Sequence, residues 1–384
     1  MKSPLSPKHY LSEEIFALEQ KNIFQKLWIF AGIKPALAAH NAFMTREIGG
    51  VPVLLQNCSG KIRAFENLCP HRLMPVQTEE FGQAPMRCVY HGWTFNPDGT
   101  VRTIPTEKTL YNYDAETRQS MCMKQFAVRE LGNMIFVCLD RHPLPFDDQF
   151  TPEFQEKVAE ASMFFGPHAI HSSRFLDFNW KLMYENVVDY NHIPFVHPRS
   201  LFPAFPGGLR EVECKLTPVP YGPESVELRD LSFTRNIELN VIPYHWMKQA
   251  LKHYGKTNRY YNFYIYPNVN FTCVTGFTFP IHQYHPVSAQ TTQIRVTVPS
   301  VAVNDDYVQK HAASLRPLVL YEYRVMDEDF DALESIQKSL RLDAPPVEHG
   351  HYEAPLVSMA HVYKSLLNGE SANEKPSRQR KSFW

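Results

Sequence analysis

Four residues stand out for what they can bind together. Cys69-Pro-His71 and Cys88-Val-Tyr-His91 read as Cys-x-His and Cys-x-x-His, with sixteen residues between them. Two thiolates and two imidazoles so spaced can hold a [2Fe–2S] cluster, Cys69 and Cys88 on one iron, His71 and His91 on the other. Exchanging two thiolates for imidazoles removes negative charge and raises the reduction potential. A structural zinc ion takes the same ligand types, but Cys2His2 fingers usually draw both Cys from one arm and both His from the other. Here each half supplies one of each.

A second candidate centre lies in Asn179-Trp-Lys-Leu-Met-Tyr-Glu-Asn-Val-Val-Asp189-Tyr-Asn-His192-Ile-Pro-Phe-Val-His197-Pro. On a helix Asn186, Asp189 and His192 are three apart and share one face. His197 falls about 140° round a regular helix from His192, so Pro194 and Pro198 must end or distort it for the two rings to converge. Two such His and a carboxylate make a facial triad that leaves positions on Fe(II) open to oxygen. Taken alone, a pair of His so spaced is more often surface or core. The carboxylate must come from elsewhere, and Asp327-Glu328-Asp329-Phe-Asp331 is the acid-rich stretch. At helical spacing Asp329 lines up with Met326, Leu333 and Ile336 on an otherwise apolar stripe, while Asp327 and Asp331 point to the solvent side. A carboxylate facing a core is costly unless a positive partner meets it. Asp329 is therefore the expected third ligand and Asp331 the next; an acidic helix surface without a ligand is the plain alternative.

Elements that position these residues can be read around them. Val51-Pro-Val-Leu-Leu-Gln and Lys61-Ile-Arg-Ala-Phe-Glu flank a Cys-Ser-Gly turn before the first loop. Asn96-Pro-Asp-Gly99 signals another hairpin after the second. Met134-Ile-Phe-Val-Cys-Leu is an expected buried strand. Residues 10–30 read as a helical arm opened by Ser12-Glu-Glu, and 152–162 as a helix. Strands are expected at 260–266, 269–279 and 291–298, rich in aromatic and β-branched residues. A helix is expected over 305–342, interrupted near Pro317.

The chain has 384 residues, enough for two domains with sizeable cores. A net charge of −1 suggests neither nucleic acid nor an acidic membrane surface as partner. No apolar run reaches spanning length and the start has no secretory apolar region, so a cytoplasmic location is expected. Of seven Cys, Cys58, Cys122, Cys138, Cys214 and Cys273 are expected to be reduced. The polar tail from Asn368 to Trp384 is expected to be poorly ordered.

With Pro-His-Arg after Cys69 and Gly-Trp after His91, the loop pair resembles the Rieske domain of the Rieske non-haem iron oxygenases, in their large α subunit. Quinol-oxidising Rieske proteins carry two further Cys where this chain has Met74 and Tyr90. The resemblance spans nearly the whole chain: Asp189, His192 and His197 match the family's Asp-x-x-His-x4-His, and its Glu-Asp, seven residues, Gln pattern selects Asp329. It implies an α+β fold, an all-β Rieske domain (44–150) after the arm (1–43), then a helix-grip-like antiparallel sheet domain with helices (151–367) and the tail (368–384).

The function implied is a terminal oxygenase. Electrons from NAD(P)H pass through a separate reductase, with or without a ferredoxin, to the [2Fe–2S] cluster and a mononuclear Fe(II) that hydroxylates a small aromatic substrate with O2, in aromatic catabolism. A monooxygenase demethylating a quaternary ammonium or methylated compound is the alternative; an electron carrier is the non-enzyme one. The run Arg259-Tyr-Tyr-Asn-Phe-Tyr-Ile-Tyr266 suits a flat ring or a cation, although alternation lets at most half of it line a pocket. Trp93 is expected over the cluster or simply in the core. The resemblance also implies that Asp189 meets His192 and a cluster His, His91 or else His71, of a neighbouring subunit, in a homotrimer, a small β subunit being left open.

Overall fold

In the computed structural model, which describes residues 1–205, 226–241, 243–303, 305–342 and 347–370, the Val51 and Lys61 runs pair as the expected hairpin. Its turn residues Ser59 and Gly60 sit at φ 56° and 91°, the left-handed pair that matches the twist of a two-residue hairpin. The N-terminal strands are β1 (Ile29–Ile33), β2 (Ala42–Ile48), β3 (Val51–Cys58), β4 (Lys61–Glu66), β5 (Phe81–Gln83), β6 (Thr94–Phe95), β7 (Val101–Thr103), β8 (Gln125–Leu131) and β9 (Met134–Cys138). Seven form an antiparallel sheet in the order β1-β9-β8-β4-β3-β2-β5. The second hairpin, β6–β7, is closed by Asn96 N–H to the Thr100 carbonyl at 2.8 Å. Both ligand loops thus leave from paired strands.

The arm differs from its expectation. Helix α1 (Glu13–Glu19), capped by the Ser12 hydroxyl on the Ile15 N–H at 3.2 Å, runs into a single wide turn over Gln20–Phe24. The chain then becomes strand. Ile29-Phe-Ala-Gly-Ile33 is buried along its whole length between β9 and the second sheet, whose Gln283 amide donates to the Phe30 carbonyl at 2.7 Å. Burial on both faces favours an extended apolar run over a one-faced helix.

After helix α2 (Pro152–Ser162) comes the second sheet: β10 (Phe165–Leu176), β11 (Phe233–Glu238), β12 (Arg259–Ile265), β13 (Val269–Val274), β14 (Ile281–Ser288) and β15 (Thr291–Val301), all antiparallel in the order β10-β15-β14-β13-β12-β11. Its two faces differ. Tyr261, Phe263, Ile265, Phe271 and Ile281 pack in one core with Phe30 and Phe136 of the first sheet. Tyr264, Tyr284, Ile294 and Val296 pack in another with Met326, Phe330 and Leu333 of a long helix.

Three helices frame the region between them: α3 (Trp180–Val188), the single turn α4 (Ile193–Val196) and α5 (Val308–Ser339), with α6 (Ala354–Leu367) behind. The interruption expected at Pro317 does not occur; α5 runs through it. Proline removes one backbone bond there, and the neighbouring Leu315 and Val319 stay buried, so packing on this face outweighs the local cost. Among the described residues, no helix is long and apolar enough to cross a membrane. Cys58, Cys69, Cys88, Cys122, Cys138 and Cys273 are unpaired; Cys214 and the tail beyond residue 370 lie outside the described residues.

A buried ion pair fastens the arm to α3. The fully buried Glu19 carboxylate meets Lys181 Nζ and the Tyr363 hydroxyl of α6, and accepts from Trp180 Nε1 at 2.9 Å. Removing one partner strands the other charge, which costs about 3–5 kcal/mol. Lys181→Met should lower the denaturation midpoint accordingly, whereas Lys157→Met, which breaks an exposed pair with Glu153, should change stability by about 0.5 kcal/mol or less. Equal effects in urea melts would refute the assignment.

Candidate metal centres

The two loops are twins in their backbone. In the first, Cys69 N–H donates to the Met74 carbonyl at 2.8 Å and Leu73 N–H to the Cys69 carbonyl at 2.9 Å. In the second, Cys88 N–H donates to Trp93 at 2.8 Å and Gly92 N–H to Cys88 at 2.9 Å. The fourth residue after each Cys has positive φ: Leu73 at 58° and Gly92 at 73°. Glycine takes that conformation freely and leucine at a cost, so the first loop holds strain that the second does not.

These loops bury the thiols and leave the imidazoles partly open. Cys69 and Cys88 are adjacent, and burial, only partly opposed by the His71 backbone amide at the sulfur, pushes the Cys69 thiol up to about 11. The rings of His71 and His91 are 4.7 Å apart between centroids. Trp93 is fully buried in the core with Phe43, Leu54 and Phe65, as one of its two expected roles requires, and it also stacks on His71 at 4.7 Å with 5° between planes.

The second centre is built where one helix ends and another passes across from it. Helix α3 stops at Val188, and Asp189 is already extended at φ −83°, ψ 123°. The shared helical face expected for Asn186, Asp189 and His192 therefore does not exist; a turn closed by Asn191 N–H on Asp189 Oδ1 at 2.7 Å brings Asp189 and His192 together instead. Pro194 starts α4 rather than breaking a helix, as its missing N–H permits in a first turn. His192 and His197 occupy the two ends of that turn, their rings 5.4 Å apart.

Asp329 faces both from α5. Its Oδ1 is 3.0 Å from His197 Nε2 and 3.5 Å from His192 Nε2, and the three ligand atoms lie within 4.8 Å of one another. Asp189 Oδ2 is 3.5 Å from His192 Nδ1, which lacks a hydrogen-bond partner among the described residues. Of the other acids, Asp331 is exposed and Asp327 pairs at the surface with Arg174. The stripe itself differs by one residue: Ile336 is 45% exposed, and Gln337 takes the buried place, its Oε1 accepting from Asn179 N–H at 3.0 Å.

Glu328 was not singled out by the sequence reading. Its Oε2 accepts from His197 Nδ1 at 2.8 Å and from the Ser200 hydroxyl. It thereby fixes the ring so that Nε2 faces Asp329, the arrangement in which an outer carboxylate orients a metal-binding imidazole. Burial would lower the His197 pKa, but hydrogen bonds to Asp329 and Glu328 outweigh it and raise it. A convergent pair of imidazoles on a buried carboxylate is a donor set that suits a divalent metal of the Fe(II) type.

Residues 153–369 match the family described as ring hydroxylating alpha subunit (catalytic domain). The chain belongs to that family. In this alpha subunit residues 28–114 also match the Rieske [2Fe-2S] domain, so the family's two cofactors are a Rieske cluster and a mononuclear iron, and both donor sets fit them.

The chain is 30% identical over 194 residues to the glycine betaine monooxygenase oxygenase subunit of Pseudomonas aeruginosa, covering 50% of this chain and 44% of that protein. It is 30% identical over 215 residues to the large oxygenase component of the naphthalene 1,2-dioxygenase system of Pseudomonas putida, covering 52% and 46%. It thus spans about half the length of these curated relatives. A crystal structure of a quaternary ammonium Rieske monooxygenase superposes with TM-score 0.74 at 19% identity, over 94% of both chains. Naphthalene 1,2-dioxygenase with indole bound gives 0.69 at 19%, over 97% and 93%. These likenesses establish the fold.

Proposed function

We propose that this alpha subunit is the catalytic component of a Rieske oxygenase, with Cys69, His71, Cys88 and His91 holding the cluster and His192, His197 and Asp329 the iron. The observation that carries the reading is the presence of two separate donor sets on one chain, one of thiols and imidazoles, the other of imidazoles and a carboxylate. When bound, the cluster would supply electrons one at a time and the ferrous iron the place where dioxygen is reduced. The protein's own part is positional: Trp93 backs His71, Glu328 orients His197, and the aromatic face of the second sheet excludes water.

The electrons would come from NAD(P)H through a separate reductase, and the location would be cytoplasmic. The division at residue 150, with the second domain reaching 367, belongs to this reading. So does a homotrimer, in which Asp189 beside His192 meets His91 of the next copy. Supporting it, Leu73, Val89 and Tyr90 form an exposed apolar rim beside His91.

For the substrate, a small aromatic ring suits the tyrosine-rich lining. A methylated or quaternary ammonium compound is favoured by a second observation: the sheet face toward α5 carries Asn262, Asn270, Thr272 and His282 among those tyrosines.

Metal analysis and EPR test the reading. We expect about three irons per chain and a reduced signal of low average g, where an electron carrier would bind about two. A colourless, zinc-loaded protein from iron-replete preparation would overturn it.

A further inference from the structure

Glu322 lies seven residues before Asp329 on α5, so both project from one face about 10 Å apart along the axis. Its Oε1 is 3.3 Å from His282 Nε2 of β14, and 22% of the side chain remains accessible. No Lys or Arg pairs with Glu322 among the described residues. His282 is a poor counter-ion, because burial pushes its pKa down to about 4, and its Nε2 makes no hydrogen bond among the described residues. The uncompensated carboxylate is correspondingly pushed up to about 7, by burial first and the Asp329 charge second.

The surroundings repeat the pattern. Tyr284, the next residue of β14 on that face, is fully buried with its hydroxyl unpartnered among the described residues. Tyr260 of β12 feels the Glu322 charge and turns to the same side of the sheet. Beyond it, Asn262 donates to the hydroxyls of Tyr190 and Tyr264 at 3.0 Å each. A carboxylate with no cation of its own, faced by tyrosine rings, is hostile to a hydrocarbon and suited to a cation.

We propose that Glu322, backed by His282 and flanked by Tyr260 and Tyr284, binds a methylated ammonium group of the substrate, setting this site for quaternary ammonium compounds over aromatic hydrocarbons. The inference rests on reading His192, His197 and Asp329 as the reaction centre. Its test reads binding rather than turnover, so the two can fail separately: absence of oxygen uptake would count against the oxygenase, not against this comparison.

Calorimetry on the iron-loaded protein compares choline with 3,3-dimethylbutan-1-ol, which has the same shape without the charge. Wild type should bind choline about tenfold or more tightly. Glu322→Gln should reduce the ratio to about twofold or less, with iron content and cluster absorption unchanged, while Glu322→Asp should keep most of the preference. Should the Gln variant not fold, Tyr260→Leu must lower the ratio about threefold. A wild type without preference for choline, tighter binding of indole than of choline, or an unchanged ratio in Glu322→Gln or Tyr260→Leu would overturn the proposal.

Discussion

His197→Ala should empty the mononuclear site and abolish turnover while leaving the visible spectrum of the cluster unchanged. The ring is 1% exposed and is held at both nitrogens, by Asp329 at 3.0 Å and Glu328 at 2.8 Å. Truncating it removes one donor and leaves two carboxylates facing a cavity without a partner, so the effect on metal affinity should exceed the 10- to 100-fold typical of an outer contact, about 100-fold or more. His192→Ala and Asp329→Ala should behave alike, and iron content should fall by about a third. Asp331→Ala is the control, since that side chain points to solvent. Iron analysis with the visible spectrum decides the matter; an empty site in Asp331→Ala with a full one in Asp329→Ala would show that the wrong acid had been chosen.

Side-chain periodicity separates these two acids in the sequence, and the structure buries Asp329 and exposes Asp331. The sequence also placed both ligand loops beside hairpins, since Ser59-Gly60 and Asn96-Pro-Asp-Gly99 are local turn signals whose meaning does not depend on distant contacts. Other features had no local sign. The stop of α3 at Val188 follows no Gly or Pro; it is imposed where Asp189 turns back on Asn191. Strand β10 reads as polar, His-Ser-Ser-Arg, because one long edge of it is exposed. Glu328 had nothing in its spacing to set it apart from the neighbouring acids, and its role follows only from the placement of His197 and Ser200 across from α5. Pro317 misled in the opposite direction, its local cost being outweighed by packing that the sequence does not display.

Asp189→Asn should leave iron and a reducible cluster in place yet lower product formation about 100-fold. The substitution keeps the side chain's size and the turn through Asn191, but removes the charge 3.5 Å from His192 Nδ1. A merely structural role would show as lost metal or a lower melting point; a role in coupling would leave both unchanged and would slow single-turnover product formation after reduction of the cluster. If Asp189 meets His91 of a neighbouring copy, mixing Asp189→Asn chains with His91→Ala chains should restore partial activity, because some interfaces then pair two intact partners. Wild-type turnover in Asp189→Asn, or an active monomer, would exclude the bridge.

The arm has a quieter consequence. Glu19 holds Lys181 and Trp180 at the start of α3, and the far end of α3 leads directly into Asp189 and His192. Any coupling between docking of the arm and filling of the metal site is therefore reciprocal: each changes the other by the same factor, whichever happens first. Through such coupling a segment that supplies no donor atom would set part of the affinity for the metal, and loosening it would be felt as weaker binding at a site whose own residues are all intact.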